Sequence, residues 1–87
     1  MTTIPTIHLN GTGFTALRDE YAAAYDALKK AREAFASTTC NGRDFYPQGN
    51  DAYYKARDER AEAFAGLDQA LRYVGDVLMG ICDQAPF

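Results

Sequence analysis

The sequence holds no tryptophan, two cysteines, one histidine, two valines and three prolines in 87 residues. Each scarcity excludes something. Two cysteines and one histidine cannot supply the four ligands of an ordinary zinc site, so no metal is expected. No run of about 18 apolar residues occurs, which excludes a transmembrane helix, and no membrane partner is expected. The opening Met1-Thr2-Thr3-Ile4-Pro5 lacks the basic start and apolar stretch of a secretory signal. A cytoplasmic protein with reduced thiols is therefore expected, and the acceptor-like Asn10-Gly11-Thr12 carries no meaning without export. Nine basic residues against twelve acidic ones give a net charge of −3, a poor balance for generic DNA binding. No phosphate-binding glycine loop or pair of catalytic carboxylates is present, and no nucleophile stands at a recognisable spacing from His8. The expectation is no enzyme and no cofactor.

Apolar residues make up 47% of the chain, but fifteen of them are alanine. Leu, Ile, Val and Phe number sixteen, just under the fifth below which composition signals disorder when net charge is also high. The net charge is low, so the chain folds as a single domain, 1–87, around a thin core. A chain of this size buries only about 60% of its surface alone, and association with further copies is expected.

Residues 1–13 read as an extended arm. Thr6-Ile7-His8-Leu9 alternates as a short strand does, and Asn10-Gly11-Thr12-Gly13 is turn chemistry. Thr12 or Thr15 is placed to cap a helix. Across 14–38, Phe14, Leu17, Tyr21, Ala24, Leu28, Ala31 and Phe35 step by threes and fours, the narrow seam of a paired helix. Residues 39–50 form a loop rich in Gly, Pro and Asn. A second helix over 51–83, capped by Asn50 or Asp51 and ended before Pro86, carries the seam Phe64, Leu67, Leu71, Val74, Leu78 and Ile81. The fold class is mainly α: a short N-terminal arm strand followed by an antiparallel two-helix hairpin, homo-oligomeric. A lone strand leaves backbone groups unpaired, so the same strand of another copy is its simplest partner. Gly66, Gly75 and Gly80 each cost the second helix up to about 1 kcal/mol against alanine. A subunit contact along Ala63, Gly66, Ala70, Tyr73, Val77 and Gly80 would offset that cost. Cys40 and Cys82 lie near opposite ends of this helix, about 45 Å apart by helical rise, too far for an intrachain disulfide.

The hairpin tip is the chemically distinctive corner. Continuing the second seam backwards reaches Arg60, Arg57 and Tyr53, and the loop adds Arg43, Phe45 and Tyr46. Residues 29–60 hold seven basic and five acidic residues, whereas the rest of the chain holds two and seven. Arginine forks match phosphate oxygens, tyrosine faces stack on bases, and a helix start adds free amides. Arg43, Arg57 and Arg60 are the candidate phosphate ligands, with Phe45, Tyr46 and Tyr53 as stacking groups for a small nucleotide-type ligand. Two other readings stand beside this one: a solvated structural tip whose arginines pair with Asp58, Glu59 and Glu62, and a surface for a protein partner.

Two stretches, Ile7-His8-Leu9-Asn10-Gly11-Thr12 and Asn41-Gly42-Arg43-Asp44-Phe45-Tyr46-Pro47-Gln48-Gly49, resemble a group of small phage and prophage proteins. Together they cover about fifteen residues. The inferred shape is similar to that of phage sponge proteins, which antagonise the bacterial CBASS and Thoeris defences by sequestering cyclic oligonucleotides or cyclic ADP-ribose signals. That likeness is architectural and carries over no residue. It implies an anti-defence protein that captures a signal without turnover in an infected host cell. The rival is a protein–protein inhibitor of a host defence complex, similar in kind to an anti-CRISPR, or a structural phage protein.

Overall fold

The structure is a computed structural model that describes residues 1–85. Two long helices dominate it: α1, Phe14–Ala36, and α2, Ala52–Cys82. Two single 3₁₀ turns, Gly42–Asp44 and Tyr46–Gln48, shape the loop between them. At 23 and 31 residues the helices run about 34 and 46 Å. They pair antiparallel, with Phe35 against Phe64 near the tip and Tyr25 against Gly75 further along. The result is a rod of 61 × 23 × 17 Å with a radius of gyration of 18.9 Å, where a globular chain of this length would have about 12 Å.

The seam of α2 falls where its leucines predict. The seam of α1 is rotated by one residue in its middle: Tyr25 and Arg32 are half-buried, whereas Ala24 and Ala31, expected inside, are exposed. A long side chain reaches the partner helix from the edge of the contact, which a methyl group cannot do. Arg32 uses that reach, donating from Nε to Asp68 at 2.5 Å and from Nη2 at 3.4 Å, with its guanidinium over the Phe64 ring.

The helix ends also differ from expectation. Neither Thr12 nor Thr15 caps α1; its N-cap is Gly13, and Asp51 precedes α2 without a side-chain cap bond. The C-terminus of α1 is better satisfied. Ser37 and Thr38 hydroxyls donate back to the Glu33 and Phe35 carbonyls, the local competition that makes these residues helix enders.

The arm is extended, but no strand forms among the described residues. Its backbone finds a partner within the chain. The Gln84 side-chain amide accepts from the Ile7 N–H at 2.9 Å and donates to the Pro5 carbonyl at 2.8 Å, the two bonds a neighbouring strand would make. Thr2 donates to Asp76, and Ile4 lies so close to Gly80 that a Cβ there would fall 2.6 Å from it. Likewise a Cβ on Gly75 would press against the Tyr25 ring. Two of the three helix glycines thus serve contacts within one chain, and only Gly66 faces open space. Beneath the arm end lie Val77 and Ile81, the two fully buried hydrophobic residues among those described.

Gln84→Ala is expected to undock the arm at a cost of about 1–3 kcal/mol. Faster hydrogen exchange at the Ile7 amide, with helical circular dichroism unchanged, is the readout. The hydrogen bond from Arg32 holds the Asp68 carboxyl below its usual range, helped by the charges of Arg32 and Arg72. A carboxyl depressed in the folded state stabilises the fold above its unfolded pKa of about 3.9, and that stability is lost as pH falls through the folded value. Urea midpoints followed down through the acid range should therefore decline, and Asp68→Asn should flatten that decline.

Candidate functional site

The tip is built by folding the loop onto the start of α2. The Phe45 and Tyr53 rings meet at 6.4 Å, and Tyr53 meets Tyr54 edge-on at 5.5 Å. Phe45 and Tyr53 are half-buried, so they anchor the loop. Gly49, at φ 119°, turns the chain into α2 with a conformation that side-chain-bearing residues rarely adopt. Tyr46 and Tyr54 remain outside, 73% and 55% exposed.

The three candidate arginines take three different positions. Arg60 is drawn inward. Its Nη2 donates to the carbonyls of Phe35, Ala36 and Thr38 at 3.2, 3.5 and 3.0 Å. These carbonyls lie at the end of α1 and just beyond it, and that of Phe35 is shared with the Thr38 N–H and hydroxyl. The guanidinium lies 5.2 Å from the Phe35 ring centre and 4.9 Å from that of Phe64. Its Nε is buried without an acceptor, a cost that the two ring faces offset. Arg60, read from sequence as a phosphate ligand, is instead occupied in capping one helix with a residue of the other. Arg57 stays outside, 5.2 Å from the Tyr54 ring centre and 3.4 Å from Asp58. Arg43 projects from the first 3₁₀ turn, exposed, with no hydrogen-bond or ion-pair partner among the described residues.

The structure therefore separates the six candidates into an anchoring set, Phe45, Tyr53 and Arg60, and an outward set, Arg43, Tyr46 and Arg57. The sequence places Tyr54 in the same corner without making it a candidate ligand, although its i,i+3 spacing to Arg57 is the signal of a stacked pair on one helix face. Sequence reasoning passed over an open depression of about 470 Å³ where α2 begins, lined by residues 48–52 with Lys55 and Glu59. None of the six candidates lines that depression. Among the described residues no group of three His, Cys, Asp or Glu side chains is placed to hold a metal ion, and Cys40 and Cys82 are free thiols. No helix formed by the described residues is long and apolar enough to cross a membrane. No family model, curated protein or solved structure matches the chain.

Arg60→Ala is expected to destabilise the protein by about 1–3 kcal/mol, because the charge-assisted hydrogen bonds to the end of α1 and the guanidinium's contact with two rings are lost together. Arg60→Lys should recover little, since a point charge cannot both stack on two rings and reach three carbonyls. Urea unfolding gives the magnitude, and exchange of the Ser37 and Thr38 amides reports fraying of the last turn of α1.

Proposed function

We propose that the chain is a non-catalytic capture protein. As a homo-oligomer in an infected host cell, it binds a nucleotide second messenger of the cyclic oligonucleotide or cyclic ADP-ribose type at the hairpin tip, and so withholds the signal from host defence. The observation that carries this reading is the outward set of cations and rings at one end of an acidic chain. Arg57 is stacked on Tyr54, Arg43 has no partner among the described residues, and Tyr46 is mostly exposed. In this reading Arg43 and Arg57 hold phosphates, and Tyr46 and Tyr54 stack on bases. Phe45, Tyr53 and Arg60 keep the platform in place. The phage and anti-defence character rests on the resemblance of the two sequence stretches and of the shape.

A second reading is favoured by the openness of the tip. Exposed tyrosines beside arginines on a shallow surface are the residue types that dominate protein–protein hot spots. In that case the same loop inhibits a host protein directly.

Calorimetry with cyclic dinucleotides, cyclic trinucleotides and cyclic ADP-ribose isomers separates the two. Binding of one class is expected, weakened about 10- to 100-fold in Arg43→Ala, the value of a lost charge-assisted hydrogen bond. Folded protein that gives no heat across the panel sinks the messenger reading. Recovery of a defined host defence protein whose binding requires Tyr46 and Arg43 would then support the second.

A further inference from the structure

The two faces of the hairpin differ sharply. On one side the helices are joined by Arg32 with Asp68 and by Tyr25 with Gly75, and the adjoining flank of α1 carries Asp26, Lys29 and Glu33. Helical periodicity puts Ala24, Ala27 and Ala31 on the other flank of α1. Because the helices run antiparallel, the α2 flank on that same side is the one with Ala63, Gly66 and Ala70. The first five of these six are exposed and Ala70 is half-covered. Between the two flanks, Leu17, Leu28, Leu67, Leu71 and Val74 are only half-buried. Up to the arm, which covers the end of the same flank at Gly80 and Gln84, this face of the rod is thus a shallow apolar trough floored by leucines and edged by small residues.

We propose that a second copy of this chain, lying antiparallel to the first, covers this face to form a four-helix bundle with a hairpin tip at each end. Three observations select that occupant. The chain exposes 6495 Å², whereas a compact monomer of its mass exposes about 5,100 Å², an excess of about 1,400 Å². A subunit in a standard stable interface buries about 800 Å², and one in an obligate dimer buries more, so the excess matches what a second copy would cover. Small side chains let helix backbones approach closely and suit a face that meets its own copy. From Ala63 to Ala70 they offer none of the Tyr, Trp or Arg anchors typical of an interface with an unrelated protein; the first such residue on this flank is Tyr73, 52% exposed, beyond Ala70. Charge sets the direction. Residues 29–60 carry net +2 and the remainder net −5, so antiparallel packing lays each basic tip against the acidic end of its neighbour. The outer ends of the tips stay uncovered, while the flank of each tip lies beside the arm of the other copy.

Light scattering on the full chain is expected to give twice its 9.6 kDa mass. The double variant Ala31→Arg, Ala63→Arg, both exposed positions on the trough, should fall to the single-chain mass with helical circular dichroism retained. Ala22→Arg with Ala65→Arg, on the opposite flanks, should leave the mass doubled. The wild-type thiols report direction without any substitution. A short bis-maleimide should join Cys40 of one copy to Cys82 of the other. A wild-type single-chain mass, a trough variant that stays double, or Cys40–Cys40 as the dominant cross-link would each overturn the proposal. None of these readouts involves a ligand, so the outcome is independent of what the tip captures.

Discussion

Two helices touch along a line, and a line of contact cannot enclose a side chain. That constraint governs this molecule. The leucines of both seams stay half-exposed, and among the described residues full burial is reached only where a third element, the N-terminal arm, lies across the end of α2 over Val77 and Ile81. The arm has no sheet to join. It is held because one glutamine amide reproduces the two hydrogen bonds of a strand neighbour, and because Gly80 lets Ile4 settle against the helix backbone. Elsewhere along the rod no such third element exists among the described residues, and the apolar face is left open.

At the opposite end the shortage of core is met by a polar device. Phe35 and Phe64 stack at 4.4 Å between ring centres, and Arg60 lies over both while bonding the last carbonyls of α1. One guanidinium therefore ties the two helices together where they diverge into the loop. Arg32 performs a similar task a turn or two away, joining Phe64 and Asp68. Both arginines are largely committed to the fold, which leaves the exposed Arg43, Lys55 and Arg57 as outward cations of the tip.

The leucine heptads made the hairpin legible in the sequence, because apolar residues repeating every seven positions at this length suit a paired helix and little else. The register of α1 was less so. Ala24 and Tyr25, or Ala31 and Arg32, are adjacent candidates for the same seam position, and the choice depends on what α2 presents opposite them. The role of Gln84 was hidden for a similar reason: its partners lie 77 and 79 positions away, and nothing local marks it. Arg60 was located at the tip by periodicity, but its function depends on the end of α1 coming within reach, a fact of tertiary packing. The aromatic and cationic character of the tip was plain from composition. Its division into anchors and outward groups was not, since burial is decided by how the two 3₁₀ turns fold the loop.

The same constraint links the trough to the tip. In the proposed dimer, the stretch of flank that one rod leaves open would be completed by something equally flat, which a second hairpin is. The ends are geometrically different: there the chain turns, and the rings and cations splay outward where a flat partner cannot cover them. Under the proposed assembly and capture, lining the flank with alanine and glycine while concentrating arginine and tyrosine at the turn would separate assembly from recognition within 87 residues. Changes on the flank should therefore alter association without altering the chemistry of the tip. Changes at Arg43 or Tyr46 should alter recognition without altering the rod.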